Sequence, residues 1–202
     1  MTSSAMPRDP VGDHLLTPQN CAVLIIDYQP IQVGSVASRD RRELVANITA
    51  LARTAKLFGV PVVTTTVNVK TGINRPMIHQ LSEILPAEPF DRTTINAWED
   101  DDFRAAVEKT GRRKLVIAAL WTEVCLCFPT LDALHDGYEV YPVVDAVGGT
   151  SSEAHALAVS RMVQAGAKPT SWVQLICELQ RDWQRKETAE DFASILFAVE
   201  GN

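Results

Sequence analysis

Short, uninterrupted apolar runs separated by longer amphipathic stretches are the feature of this sequence that most restricts its fold. Runs of this kind, rich in Val and Ile and without polar alternation, are typical of strands buried on both faces of a parallel sheet. The sequence predicts four clear strands, a weaker one and a short one, at residues 22–26, 60–65, 115–120 and 140–144, near 168–173, and near 89–91.

The stretches between these runs carry helical patterns. Between residues 41 and 58, for example, Leu44, Ile48 and Leu51 repeat on one face, and Gly59 follows as a helix stop. The repeated alternation predicts one doubly wound α/β domain, in which a mainly parallel sheet of about six strands has helices on both faces. The predicted helices occupy residues 41–58, 100–110, 122–135, 152–165, 173–185 and 188–199.

Length and composition agree with a single domain. The chain has 202 residues, of which 46% are hydrophobic, and this is enough for one well-packed core. The domain is predicted to cover residues 19–202. Residues 1–18 before it are polar and lack the apolar core of a secretory signal, so they are predicted to form a flexible leader.

Charge and hydropathy restrict the partners. The chain has 19 Lys and Arg against 25 Asp and Glu, a net charge of −6, so nucleic-acid binding has little electrostatic support. No apolar run approaches the roughly 20 residues that a membrane-spanning helix needs. We therefore predict a cytoplasmic protein that acts on a small molecule, with neither a nucleic-acid nor a membrane partner.

The cysteine after the fourth strand is the strongest candidate for chemistry. In open parallel sheets, ligands bind beyond the carboxyl ends of the strands, where Cys125 is predicted to lie in the first turn of a helix capped by Thr122. Free N–H groups at a helix start favour a thiolate and can hold an oxyanion. Cys125 is therefore the predicted nucleophile, with an inert, packed thiol as the alternative.

Two charged residues are candidates to assist this cysteine. Asp27 ends the first strand, where a carboxylate is costly unless it has a partner or a task. If the first and fourth strands are neighbours, Asp27 would take the thiol proton and pass it to the leaving nitrogen; a cap or loop brace is an equal alternative. Arg92 follows the short third strand and is a candidate cation, although a lone loop arginine is usually a surface group.

No metal or cofactor site is predicted. Cys125 and Cys127 lack a second pair or a nearby His that would complete a zinc site. The four histidines show no paired metal-binding spacing and are assigned to the surface, and the glycine patterns of dinucleotide and phosphate loops are absent. The histidines are His14, His79, His135 and His155.

Four short motifs in the same order together resemble the isochorismatase-like cysteine hydrolase family. The resemblance extends from about residue 20 to residue 183 and is closest to octameric bacterial hydrolases of unknown substrate. The motifs are Asp27-Tyr28-Gln29, Asn96-Ala97-Trp98-Glu99, Trp121-Thr122-Glu123-Val124-Cys125 and, near the end, Ile176-Cys177-Glu178-Leu179-Gln180-Arg181-Asp182-Trp183.

The resemblance implies a three-layer fold with strand order 3-2-1-4-5-6 and an Asp–Lys–Cys triad that works through an acyl-enzyme. Asp27 and Cys125 match two members of that triad, whereas Arg92 stands at the lysine position. An arginine still stabilises a thiolate but does not shuttle protons. The resemblance also implies a cis peptide between Leu120 and Trp121, and an oxyanion hole formed by the backbone N–H groups of Trp121 and Cys125.

These features predict a metal-independent hydrolase of C–N bonds in a small amide, carbamate or ureido substrate. The metal-binding histidines of related nicotinamidases have no counterpart in residues 64–70. The resemblance implies a homo-oligomer, with the octamer as the form typical of the subgroup. A catalytically silent binding or scaffold protein and a thiol redox protein using Cys125 and Cys127 remain as alternatives. Predicted pocket residues, of which the three aromatic ones have core packing as the stronger alternative, are Gln29, Asn96, Trp98, Thr122, Phe128 and Trp172.

Overall fold

A parallel five-stranded sheet forms the centre of the computed structural model, which describes residues 8–85 and 87–198. Its strand order is β3-β2-β1-β4-β5, and every pair of neighbours is parallel. All residues of β1 and β4 are buried, which explains why their sequences are unbroken apolar runs. The strands are β1 (Cys21–Ile26), β2 (Val62–Val67), β3 (Phe90–Arg92), β4 (Lys114–Ala119) and β5 (Glu139–Pro142).

Helices connect the strands and form two packed groups. The longest, α2, begins at Asp40, whose carboxylate accepts hydrogen bonds from two backbone N–H groups of its first turn. It contacts α7 and α8, whereas α5 contacts α6, as expected for two helical layers around one sheet. The helices are α1 (Pro30–Gly34), α2 (Arg41–Leu57), α3 (His79–Ser82), α4 (Asp101–Lys109), α5 (Cys127–His135), α6 (Ser152–Gln164), α7 (Trp172–Gln180) and α8 (Lys186–Ala198).

The sixth strand predicted near residues 168–173 does not form, so the sheet has five strands instead of six. The segment still lies along β5: the N–H groups of Lys168 and Thr170 donate to the carbonyl oxygens of Val140 and Pro142, and Thr170 forms an isolated parallel bridge with Val143. The pairing stops there because Ser171 caps α7 by accepting a hydrogen bond from the N–H of Gln174, so the chain turns into a helix. The apolar residues that suggested a strand therefore belong to the start of a helix.

The predicted flexible leader at residues 1–18 is packed against the domain over the part that the structure describes. Leu16 and Thr17 are fully buried. The ammonium group of Lys114, at the start of β4, donates hydrogen bonds to the carbonyl oxygens of Asp13, His14 and Leu15. Burial of Leu16 and these bonds attach residues 13–17 to the domain. Residues 1–7 lie outside the described residues.

Within the described ranges 8–85 and 87–198, no helix is both long enough and apolar enough to cross a bilayer.

We expect Leu16→Ala to lower the free energy of unfolding by about 2–5 kcal/mol, because it leaves a cavity where a fully buried side chain stood. Urea denaturation measures this loss. Val11→Ala is the matched control in the same segment, since Val11 is 65% exposed. The control should change stability by less than about 0.5 kcal/mol; equal effects of the two substitutions would show that the segment does not pack as described.

Candidate active site

Asp27 lies at the carboxyl end of the central strand β1 and is fully buried. Its backbone has a φ of 60°, in the left-handed region that few residues other than Gly adopt. The backbone N–H of Asp27 donates a 3.0 Å hydrogen bond to the carbonyl oxygen of Thr65, at the end of neighbouring β2. Unusual backbone conformations of this kind concentrate at functional sites.

Arg92 ends β3 and forms a two-pronged ion pair with Asp27. Its two terminal nitrogens lie 2.7 and 2.6 Å from the two carboxylate oxygens of Asp27, and both side chains are shielded from solvent. Burial disfavours the charged guanidinium, but the hydrogen bonds and charge of Asp27 more than compensate and raise the pKa of Arg92. The structure thus brings together two residues that are 65 positions apart in the sequence.

The two terminal nitrogens of Arg92 make further contacts. One terminal nitrogen donates to the hydroxyl of Thr65 and the carbonyl oxygen of Thr66, and the other lies 3.4 Å from the carbonyl oxygen of Ile95. The Nε atom of Arg92 is buried without a partner. Arg92 therefore ties the ends of β1, β2 and β3 and the following loop to one group.

Cys125 faces this pair from the turn after β4, and its side chain is almost entirely buried. Burial raises the pKa of the Cys125 thiol, and the adjacent Asp27 carboxylate raises it further. Arg92 and a hydrogen bond from the backbone N–H of Trp121 oppose these effects without cancelling them. Desolvation and Asp27 therefore favour the neutral thiol, against the thiolate that the N–H groups of the turn favour.

The cysteine turn (Thr122–Leu126) is a π-helical turn rather than the first turn of an α-helix. The predicted cap is wrong, because the hydroxyl of Thr122 lies 2.9 Å from Nδ1 of His155 and not against a backbone N–H of the turn. The peptide bond between Leu120 and Trp121 is cis, as the family resemblance implies. Backbone N–H groups of Val124 and Leu126 donate to the carbonyl oxygen of Trp121 and close the turn.

Gln29, a predicted pocket residue, has its amide group fully used inside the protein. Its nitrogen donates to the carbonyl oxygens of Val67 and Arg75, and its oxygen accepts from the N–H of Val67. The side chain thus braces the loop after β2 from a fully buried position. These three hydrogen bonds leave the amide group of Gln29 little capacity to bind a substrate.

Asn96 and Trp98 attach the loop before α4 to helix α5. Asn96 donates to the carboxylate of Asp132, and the indole N–H of Trp98 donates to that of Asp136. The Trp98 ring also meets Tyr138 edge-on, with centroids 5.5 Å apart. Because Asp136 and Tyr138 lie at the end of α5 away from Cys125, the Trp98 ring is a packing residue and not a wall beside the sulfur.

The two other aromatic pocket candidates lie in different surroundings. Phe128 is half-buried in the first turn of α5, close in sequence to Cys125, and packs against the core. Trp172 is buried at the start of α7, where its backbone N–H donates to the carboxylate of Asp145. Core packing is thus the role that the contacts of Trp172 support.

Sequence reasoning missed His155 and Ile95. His155 was assigned to the surface, yet it is half-buried against Thr122. The carbonyl oxygen of Ile95 lies 4.0 Å from the Cys125 sulfur. No sequence signal could have found either contact, because they join residues 33 and 30 positions apart. Among the described residues, no group of three or more His, Cys, Asp or Glu is arranged to hold a metal ion.

A parallel α/β sheet with a thiol, a carboxylate and a guanidinium at its carboxyl edge defines the class of doubly wound proteins that bind ligands at that edge. Residues 21–174 match the isochorismatase domain, and the chain belongs to the isochorismatase family. The predicted family resemblance is therefore confirmed.

Two bacterial relatives match most of the chain. The probable hydrolase YcaC of Escherichia coli strain K12 is 37% identical over 171 residues, which cover 84% of this chain and 82% of the relative. The crystal structure of E. coli YcaC, described as an octameric hydrolase of unknown specificity, has a TM-score of 0.82 at 33% identity and covers 93% of this chain and 97% of that chain. YcaC from Pseudomonas aeruginosa, with hexane-2,5-diol and covalent acrylamide, has a TM-score of 0.81 at 33% identity over 93% and 98% of the two chains.

We expect Arg92→Met to lower the free energy of unfolding by about 3–5 kcal/mol, because it leaves the Asp27 carboxylate buried without a partner. The double variant Asp27→Asn/Arg92→Met removes both charges and should lose less than Arg92→Met alone. Urea denaturation at neutral pH gives the free energy of unfolding of the wild type and of the two variants.

Arg104→Met is the control for this prediction. Arg104 forms an ion pair with Asp101, but the two side chains are 41% and 89% exposed. Its loss should therefore cost less than about 1 kcal/mol. Similar losses for Arg92→Met and Arg104→Met would contradict a strongly coupled buried pair.

Proposed function

We propose that this chain is a cysteine-dependent hydrolase that cleaves a C–N bond in a small amide, carbamate or ureido substrate. The observation that carries the proposal is the convergence of Asp27, Arg92 and Cys125 at the ends of β1 and β3 and in the turn after β4. A thiol beside a buried carboxylate supplies a nucleophile together with an acceptor for the proton of that nucleophile.

Acylation begins with a neutral Cys125 thiol. As the sulfur attacks the substrate carbonyl carbon, its proton passes to Asp27 and the carbonyl oxygen becomes an oxyanion. The backbone N–H groups of Trp121 and Cys125 are the proposed donors to that oxygen. When the tetrahedral intermediate collapses, the C–N bond breaks, Asp27 returns the proton to the leaving nitrogen, and a thioester with Cys125 remains.

Deacylation uses the same residues in reverse. Asp27 takes a proton from a water molecule, the resulting hydroxide adds to the thioester carbon, and the C–S bond breaks. The proton returns to the sulfur and the acid product leaves. Since the pKa of Arg92 is raised, Arg92 stays charged throughout, and Asp27 alone moves protons.

The two YcaC proteins support this proposal. E. coli YcaC is described as a hydrolase of unknown specificity. The P. aeruginosa protein holds covalent acrylamide, a small electrophile that carries an amide group. Covalent attachment of acrylamide requires a nucleophile in that protein, and a nucleophile is the role that we propose for Cys125.

The octamer described for E. coli YcaC supports a related proposal, that this chain also forms a homo-oligomer. Light scattering after size-exclusion chromatography should give a mass several times that of one chain. A single-chain mass at micromolar concentration would contradict it.

The alternatives have weaker support. A thiol redox protein would need Cys125 and Cys127 to pair, but side chains two positions apart in a helical turn do not face each other. A silent binding protein is favoured only by the arginine at the lysine position. Yet Arg92 binds both carboxylate oxygens of Asp27 and thereby fixes the orientation of Asp27, as an acid–base role of Asp27 would require.

We expect Cys125→Ala to reduce turnover by about 10³-fold or more, because it removes the nucleophile. Ammonia release from a panel of small amides, carbamates and ureas identifies a substrate for the wild-type protein and measures the loss. Cys177→Ala, at an exposed cysteine, is the control and should keep wild-type turnover. Full turnover by Cys125→Ala would exclude the mechanism.

A further inference from the structure

The cysteine turn is attached to the start of α6 by two consecutive side chains. The hydroxyl of Thr122 lies 2.9 Å from Nδ1 of His155. The carboxylate of Glu123 accepts hydrogen bonds of 2.9 and 2.6 Å from the backbone N–H and the hydroxyl of Thr150. We call these four residues the α6 latch. No side chain caps the turn itself, so the latch supplies side-chain support that a cap would otherwise give.

The latch is tightly packed, as a group with a positional role must be. Thr122 is fully buried. A Cβ atom at Gly149 would stand 2.5 Å from a carboxylate oxygen of Glu123 and 3.1 Å from the Cβ of His155. Only a residue without a side chain fits there. Burial lowers the pKa of His155, so its ring is neutral at neutral pH and both offers and accepts a hydrogen bond.

A short covalent path leads from the latch to the sulfur. Thr122 directly follows Trp121, whose backbone N–H bonds to the Cys125 sulfur. The N–H of Thr122 also donates to the carbonyl oxygen of Gly148, beside the latch. A shift of Thr122 therefore moves the Trp121 N–H and the sulfur together, whereas Asp27 and Arg92 stay fixed on other strands.

We infer that Thr122, Glu123 and His155 are positioning residues that hold the cysteine turn in register with Asp27. The inference rests on the proposed function, in which Cys125 must meet both the substrate carbon and Asp27. Thr122 was a predicted pocket residue, but it is fully buried with its hydroxyl against His155, so we give it a positioning role and no contact with the substrate. Glu123 and His155 are likewise given no such contact. Their loss should therefore lower kcat more than it changes KM.

Thr122→Val and Thr122→Ser form the decisive pair of variants. Valine keeps the shape of threonine without the hydroxyl, and serine keeps the hydroxyl. We expect Thr122→Val to lower kcat by about 10- to 100-fold with KM within about 3-fold, and Thr122→Ser to stay within about 3-fold of wild type in both. Amide hydrogen exchange over residues 121–126 should be about 5-fold faster in Thr122→Val only.

Equal kcat values or equal exchange rates in the two variants would overturn the inference, as would a change confined to KM. His155→Asn and His155→Ala provide a second pair in case Thr122→Val does not fold. Asparagine keeps a polar atom near the position of Nδ1, so only His155→Ala should show the loss. Both pairs are judged on the same two measurements.

Failure of the proposed function gives a different result, namely wild-type protein that releases no ammonia from any compound in the panel. The rate of acrylamide addition to Cys125, followed by mass spectrometry, then replaces kcat. Slower addition in Thr122→Val than in Thr122→Ser supports the latch. Equal or faster addition in Thr122→Val overturns it, because the hydroxyl would then only pack or shield the turn.

Discussion

The buried ion pair between Asp27 and Arg92 is the interaction on which the geometry of the site depends. A single buried charge is costly, so each member requires the other in a fixed place. Their two short hydrogen bonds join the ends of β1 and β3, with β2 between them. Since β3 has only three residues, its backbone pairing is limited, and the ion pair adds a strong constraint at its last residue.

Burial and this pair together shift the pKa of the Cys125 thiol, and burial is the larger cause. N–H groups at a turn and a nearby guanidinium both favour a thiolate. In this site, however, the positive charge of Arg92 is already matched by Asp27, and burial removes solvent stabilisation from the sulfur. The pKa of Cys125 is consequently raised. A neutral thiol beside a carboxylate suits a mechanism in which the proton leaves the sulfur as the sulfur attacks, because no thiolate has to form before the attack.

The sequence predicted those features that depend on one element at a time. β1 and β4 were predictable because both faces of each strand are buried, and Asp27 and Cys125 because they follow such strands. Features that depend on side-chain direction across the fold were not predictable: Gln29 turns to the loop after β2, and Trp98 to the far end of α5. The sixth strand did not form for a local reason, since Ser171 caps α7 directly after the single bridge of Thr170. The packing of residues 13–17 before β1 was not predicted, because Lys114 binds their backbone carbonyl oxygens, which no side-chain pattern reveals.

An arginine at position 92 affects the geometry of the site as well as its charge. A lysine ammonium is a point charge with three donors, whereas the planar guanidinium matches both oxygens of a carboxylate at once. Arg92 uses this geometry to fix the plane of Asp27 and has donors left for Thr65, Thr66 and the carbonyl oxygen of Ile95. That same carbonyl oxygen borders the Cys125 sulfur. One side chain thus sets the orientation of the Asp27 carboxylate and the position of a loop beside the Cys125 sulfur. In the proposed mechanism Arg92 keeps its proton, which leaves Asp27 to carry a proton between sulfur and substrate.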